Sequence, residues 1–427
     1  MEFNKYRLKE LAEYKNERIP TNQLTTSNYI STENLLPNKQ GKQNANNLPN
    51  SKTVKKYIEN DILISNIRPY FKKIWQADNV GGTSNDVLNI TSNNKNISNN
   101  YLYYYLSQDK FFQYMNQTSK GTKMPRGDKE AIMEFEIQVP RNIKHQNFIS
   151  DLGKSLDNKI AYNTKIIANL EELSQTLFKH WFIDFEFPDE NGNPYKSSGG
   201  EMIDSELGEI PLNWFIKSID EVADCQNGYA FYKTGYSDSG YFVMDLGNIN
   251  INSQYVTTNK DKYINKKDID QKKEKFLLKT NDLVMVMTDR TQEMNILGRT
   301  VRITKPDYFV LNQRMFRIRV YNKYLLTYLQ SLLNSEYTRQ QFLSKSLGSA
   351  QKYINTKHIT KHKIVIPNTR LIKKYYSQCE NMILQSIELS EENSKLFQLR
   401  DTLLPKLMSG EIEIPDDIEV DTDELSI

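Results

Sequence analysis

Apolar residues along this chain occur in two rhythms, and the alternation between them occurs twice. Short runs bounded by turn-forming residues, DILISNI (61–67), DLVMVMT (282–288) and MFRIRV (315–320), read as buried strands, and helices are predicted around 101–115 and 324–343. The second rhythm is longer. Ile149, Leu152, Leu156, Ile160, Asn163, Ile167, Leu170, Ser174, Leu177 and Trp181 step by three or four residues with no intervening proline, the pattern of a long helix seeking a helical partner. A weaker stripe of the same phase lies 227 residues on, at Tyr376, Cys379, Ile383, Ile387, Ser390, Ser394, Phe397, Asp401, Leu404 and Met408. The two stripes are expected to pair antiparallel, with Asn163 facing Ser390 as polar seam positions that fix register. Between them FPDENGNPYKSSGG (187–200) reads as a connection, and the acidic stretch after Gly410 as a disordered tail.

Self-comparison explains the doubled rhythm. LKELAEYKN (8–16) resembles IDEVADCQN (219–227) at an offset of 211, Asn60-Asp61 resembles Asn281-Asp282 at 221, and YLYYYL (101–106) resembles YLLTYL (324–329) at 223. The offset then settles at 227, through Ile132/Ile359, Pro140/Pro367, Ile160/Ile387 and Leu177/Leu404. Two copies of one unit, the second carrying small loop insertions, account for this drift.

Composition narrows the classes of function. Of 427 residues, 56 are Lys or Arg and 53 Asp or Glu, a net charge of +3; eight acidic residues lie in 411–427, so the remainder carries +11. That charge sits in two blocks: residues 211–367 hold 24 basic and 14 acidic residues, and 1–140 hold 19 and 14. Two basic blocks are the footprint of two nucleic-acid-facing surfaces. No stretch approaches a membrane span and no signal-peptide core opens the chain, so a cytoplasmic protein is expected. Cys225 and Cys379 are far apart and in no metal-like spacing, and are expected to be buried or inert.

LEELSQTLFKHWFIDFEFP (170–188), LGEIPLNW (207–214) and RDTLLPKLMSGEI (400–412) together resemble the specificity subunits of type I restriction-modification systems, and GSAQKYIN (348–355) resembles a loop of the same family. The first copy's GTKMPRGD (121–128) departs from that loop. The resemblance implies one target-recognition domain per half, each reading half of a split double-stranded DNA site, with the helices setting the spacing and docking two methyltransferase subunits, and restriction/translocase subunits joining that core. It further implies adenine methylation and ATP-dependent restriction, with S-adenosylmethionine, ATP and Mg²⁺ on the partners and no cofactor on this chain.

A fused methyltransferase or nuclease, the rival reading, would need a catalytic motif. Gly121 to Lys129 has Asp128 where a phosphate loop requires Lys; Asn193-Pro194-Tyr195 lacks the second proline of an amino-methyltransferase motif. His358 and His362 have a zinc-compatible spacing but no intervening Glu, and read as solvent-facing; Asp307 reads as a turn residue. The remaining chemistry is contact. Arg and Gln can bond base edges bidentately, whereas Lys neutralises phosphate. In the second copy Arg290, Gln292, Gln313, Arg314 and Gln351 are candidate base readers, with Arg299, Lys352 and Tyr353 beside them; in the first copy the candidates are Arg68, Lys72, Lys73, Ser84, Asn85, Lys120, Lys123 and Arg126.

The expected architecture is α+β: two similar mixed α/β target-recognition domains separated by two long antiparallel helices forming a coiled coil, with internal pseudo-two-fold repeat. Its parts are a first domain (1–144), a first spacer helix (145–182), a linker (183–211), a second domain (212–367), a second spacer helix (368–409) and an acidic tail (410–427). The expected seam comprises Leu152, Leu156, Ile160, Asn163, Ile167, Leu170 and Leu177 on the first helix and Ile383, Ile387, Ser390, Phe397 and Leu404 on the second. The expected function is a non-catalytic DNA-specificity subunit. A helical scaffold that assembles partners without reading DNA is the other alternative.

Overall fold

The structure, a computed structural model, describes residues 1–258, 261–291, 293–348 and 351–415. It divides into two compact units, residues 1–160 with 396–427, and residues 161–395. In the first unit, strand Phe3–Arg7 pairs antiparallel with Glu136–Pro140. A four-residue helix, Leu8–Leu11, leads to Ala12–Tyr14, the edge of a four-stranded sheet continued by Val87–Ser92, Ile62–Ser65 and Ile74–Gln76. In the second unit Phe215–Ser218 pairs with Lys363–Ile366, helix Ile219–Val222 follows, and the sheet runs Ala223–Asn227, Met315–Val320, Leu283–Val286, Thr300–Arg302. The two sheets have the same strand order, and their equivalent strands lie 211, 228, 221 and 226 residues apart, taken in that order.

The repeated residues are those that build local structure. The Arg7 and Ser218 amides donate to Glu10 and Glu221 at 2.6 and 2.7 Å, closing the start of the four-residue helix in each copy. Asn60 and Asn281 adopt the left-handed conformation (φ 68° and 73°), which Asn tolerates better than most residues. The buried Asp61 and Asp282 that follow accept the amides of Ile58 and Lys279 at 3.0 and 2.7 Å, fixing the turn into the central strand. The hydroxyls of Tyr101 and Tyr328 donate to the carbonyls of Gln138 and Val365, one hydrogen bond made twice, 227 residues apart, so the counterpart of Tyr101 is Tyr328 and the match to Tyr324 at 223 is corrected by about one helical turn.

Two features depart from the sequence reading. Each predicted helix is a pair: Asn99–Leu106 with Asp109–Gln117, and Lys323–Asn334 with Glu336–Ser344. Ser335 breaks the second, its hydroxyl accepting from the Thr338 amide and so starting a new helix. The small second sheet differs between copies. Both retain a parallel pair, Tyr29–Ile30 with Gly81–Thr83 and Tyr241–Met244 with Phe309–Leu311. The neighbouring strand joins Gly81–Thr83 in the first unit and Tyr241–Met244 in the second. Tyr29–Ile30 and the neighbouring strand lie in the stretch where the offset climbs from 211 to 221 and sequence similarity lapses.

The long helices are Ile143–Phe182 and Thr369–Ser409. Each begins in one unit's core and ends in the other's. In the first unit Ile149 lies in the core with Leu404, Leu407 and Met408; in the second Phe178, Trp181 and Phe182 lie with Leu371, Ile372, Tyr375 and Cys379. The aromatic and leucine-rich helix ends that carry the family resemblance are therefore core residues. Gly410 (φ 78°) ends the second helix in the left-handed cap geometry. Ile414 is buried in the first unit's core, so the tail is anchored beyond Gly410; residues 416–427 lie outside the described residues. Among the described residues no helix is long and apolar enough to cross a membrane.

Within the second unit the helices run antiparallel: Asn163 donates to Asn393 at 3.0 Å, and the Tyr375 hydroxyl donates to the Ser174 carbonyl at 3.3 Å. Asn163 thus bonds Asn393 where Ser390 was expected. On the first helix Leu156, Ile160, Asn163 and Ile167 are buried, and Leu152, Leu170 and Leu177 are half-buried. On the second, Ile383 and Leu404 are buried, whereas Ile387, Ser390 and Phe397 are only half-buried, and the buried places between them go to Ser386, Asn393 and Arg400. Polar residues can hold these places because they are partnered: in the first unit Arg400 bonds Asp157 at 2.6 Å, and the Tyr104 hydroxyl takes that carboxylate's other oxygen at 2.9 Å.

Gly153, inside the first long helix, admits the Tyr104 ring: a Cβ there would lie 2.6–2.8 Å from three ring carbons. Exposed helical glycines gain about 1 kcal/mol on replacement by alanine. Gly153→Ala is expected to do the reverse, losing about 1–3 kcal/mol through overpacking. Thermal denaturation checks this, and an unchanged or raised melting temperature would contradict the close approach.

Candidate nucleic-acid interface

Three loops follow the central sheet of each unit, and the same backbone hydrogen bonds tie them together in both. In the first unit the Asn66 amide donates to the Asp86 carbonyl at 2.8 Å, and the Gly127 amide to the Asn66 carbonyl at 3.0 Å. In the second the Met287 amide donates to the Arg314 carbonyl at 3.0 Å, and the Ile354 amide to the Met287 carbonyl at 2.9 Å. Reciprocal bonds close the third loop in each: Lys120 with Arg126, and Leu347 with Tyr353. A common frame thus gathers residues 66–73, 84–86 and 119–128 in one unit and the described residues of 287–299, 312–314 and 346–355 in the other.

The side chains on the frame differ. In the first unit Arg68, Asn85, Lys120, Lys123 and Arg126 are exposed. Arg126 lies 3.3 Å from Asp86 and Lys120 2.6 Å from Asp128; Asp128 raises the Lys120 ammonium's pKa and is itself held low by it. Ser84 is half-buried with its hydroxyl covered. In the second unit Arg290, Gln313 and Tyr353 are exposed, and Arg314, Gln351 and Lys352 half-buried. Asp289 is buried; its carboxylate accepts the amides of Thr291 and Ile296 at 2.8 and 2.9 Å, and Arg339 donates to the Met294 carbonyl at 2.7 Å. Arg290 is therefore presented on a loop held from both sides.

Three candidates point elsewhere. Lys72 is bonded to Asp109 at 2.7 Å, and Lys73 donates to the Thr32 carbonyl at 2.5 Å, with its pKa lowered by burial. Arg299 lines a cavity of about 260 Å³ with Glu171, Gln330 and Ser386; burial and the nearby Arg339 lower its pKa. Lys72 is paired within the unit, and Lys73 and Arg299 are drawn inward. Gln292 lies outside the described residues. Sequence reasoning missed the Asp289 and Arg339 supports, whose only signal was an Asp two residues before Thr291, an Asx-turn spacing. It also missed the exposed Tyr70 and Phe71 beside Arg68.

The rejected catalytic constellations occupy structural places. His362 is buried against the Phe342 ring, 4.7 Å between centroids, and burial lowers its pKa to about 4; the expectation that it faces solvent is corrected. Asp307 lies in a turn (φ 49°), and Tyr195 stacks on Phe187 at 4.5 Å. Burial pushes the Cys225 thiol up to about 12 and that of Cys379 up to about 11. Among the described residues no group of three or more His, Cys, Asp or Glu is placed to hold a metal.

A duplicated mixed α/β domain with one loop frame per copy, and two long helices shared between the copies, defines a protein with two recognition domains. The chain matches the type I restriction modification DNA specificity domain over residues 1–172 and again over 211–390, and it belongs to that family, with one specificity domain in each half. It is 24% identical over 376 residues to the MjaVIII specificity subunit of Methanocaldococcus jannaschii, covering 83% of this chain and 80% of that one. It is 24% identical over 467 residues to the HindI specificity subunit of Haemophilus influenzae, covering 96% and 100%. The crystal structure of a type I restriction-modification system S subunit from M. genitalium shares the fold, with a TM-score of 0.58 at 13% identity over 95% of this chain and 96% of that one.

Proposed function

We propose that the chain is a non-catalytic, cytoplasmic DNA-specificity subunit whose two domains each read one half of a split double-stranded target. One observation carries this reading: the loop frame is the same in both units while its side chains differ, as reading two different half-sites from one scaffold requires. The first unit offers mainly Arg and Lys, the second adds Gln313, Gln351 and Tyr353, so the two favour different base edges. The long helices set the spacing between half-sites. They also dock two methyltransferase subunits, for which Tyr162, Ile166 and Leu173, exposed along the first helix, supply an apolar face. Adenine methylation and restriction then belong to the methyltransferase and restriction/translocase partners, with S-adenosylmethionine, ATP and Mg²⁺ bound there.

Arg290→Ala tests the reading. A bidentate Arg contact carries about 1–3 kcal/mol of discrimination, so selectivity should relax by about 5- to 150-fold at one base of one half-site. The other half-site should be unchanged. Methylation of a randomised target library by the complex with its methyltransferase reads both halves together, and equal losses in both would contradict the assignment.

A further inference from the structure

The turn Pro69–Phe71 leaves the central sheet of the first unit with an unusual exposure of aromatic surface. Tyr70 and Phe71 are 49% and 39% exposed, and their rings lie 4.7 Å apart at 52°. Neither end of the turn relaxes. Arg68 and Lys72 are both left-handed, each with φ 51°, a conformation that costs a side-chain-bearing residue free energy. The matching place in the second unit, 226 residues after Lys72, is Gly298 (φ 78°), where the same backbone is unstrained. The strained turn is nevertheless held fast. The Arg68 amide donates to the Pro125 carbonyl at 2.8 Å, and the carbonyls of Phe71 and Lys72 accept from the amides of Asn38 and Lys39 at 2.8 and 2.9 Å. Two exposed rings are thus fixed in place on the loop that, in the second unit, carries Arg290.

We propose that Tyr70 and Phe71 form an aromatic wedge that enters one base step of the first half-site and unstacks it. The inference rests on the split-target reading. Its occupant is double-stranded DNA for two reasons. The turn and the loop across the Pro125 hydrogen bond are net basic: Arg68, Lys72, Lys73, Lys120, Lys123 and Arg126 outnumber Asp109, Asp128 and Asp86, which pair with Lys72, Lys120 and Arg126. Two rings alone are also far too small for a stable protein interface, which buries about 800 Å² per partner, yet they suit a single base step. The first domain accordingly reads part of its half-site by deformability, favouring a pyrimidine–purine step, which opens more easily than others. The second reads through Arg290.

The test uses the full chain with its methyltransferase partner and a synthetic duplex of its mapped target, with 2-aminopurine placed in turn at each first-half position other than the methylated adenine. Fluorescence should rise at one step on binding. The Tyr70→Ala/Phe71→Ala variant should abolish that rise and weaken binding about 10-fold or more, the loss expected for removed stacking. The penalty for mismatches in the second half-site should be unchanged. Tyr70→Phe should keep the signal; should the alanine pair fail to fold, Tyr70→Gln alone, which removes one ring, should reduce it. No rise at any step, a rise that survives loss of the rings, or loss of methyltransferase association would each overturn the wedge. A wild-type complex that cannot distinguish its target from scrambled DNA would instead overturn the split-target reading itself.

Discussion

Lengthening both long helices by four residues, after Ile160 in the first and after Lys395 in the second, is expected to widen the gap between half-sites by about two base pairs and leave the half-site sequences unchanged. Both positions fall where the helices pass from one unit to the other, so neither loop frame nor core is altered. Four helical residues add about 6 Å at 1.5 Å per residue, and DNA rises about 3.4 Å per base pair. The matched insertion matters. The seam carries polar pairs, the buried Asn163 with Asn393 and the half-buried Asp157 with buried Arg400, which an insertion in one helix alone would misalign. The added rotation of about 40° beyond a full turn does not match the DNA twist, so affinity should fall. Methylation mapping of the double-insertion variant checks both outcomes: an unchanged gap with normal activity, or altered half-site bases, would contradict a spacing role for the helices.

Glu380→Ala should destabilise the second unit by about 3–5 kcal/mol, because it strands a buried guanidinium. Arg302 reaches Glu380 through two hydrogen bonds, of 2.9 and 2.7 Å, and the Thr327 hydroxyl donates a third at 2.6 Å, tying sheet, helix pair and long helix together. A loss of that size would lower the melting temperature by about 10 °C in a unit of this length. Replacing both partners, Arg302→Met with Glu380→Leu, should recover much of the loss, since no charge is then left buried. The pair also has a pH signature. Burial raises the Glu380 pKa, but the hydrogen bonds from Arg302 and Thr327 outweigh it and hold the group below its ordinary value of 4.5. The contribution is therefore fully present above about pH 4.5 and fades as pH falls through the lower folded value. Wild type and Glu380→Gln should converge in stability below pH 4.5; a constant difference down to pH 3 would contradict the charged pair.

Sequence alone disclosed the fold wherever local chemistry repeats. Asn60-Asp61 and Asn281-Asp282 stand out because a left-handed turn followed by a buried acceptor constrains residue type at two adjacent positions. The long helices were legible from their period. The second helix's seam was not, because Ile387 advertises a buried place that in fact goes to Ser386; Asn393 and Arg400 are buried only because Asn163 and Asp157 meet them. The same limit applies at the interface. Lys72, Lys73 and Arg299 look identical in sequence to residues that face outward, and Asp109, the Thr32 carbonyl and the cavity beside Glu171 that engage them are distant in the chain. Tyr70 and Phe71 escaped because an aromatic after a strand is ordinarily core, and only their exposure distinguishes them.

The central claim is that one chain carries two independent readers, and exchange of a single reader tests it most directly. Residues 1–140 are replaced by the matching segment of a family member with a different target, and adenine methylation is mapped across the genome of a host carrying the hybrid with its methyltransferase. The predicted result is a split motif in which one half changes to the donor's and the other half keeps its sequence. A hybrid that methylates the original motif unchanged, or one in which both halves change together, would contradict it.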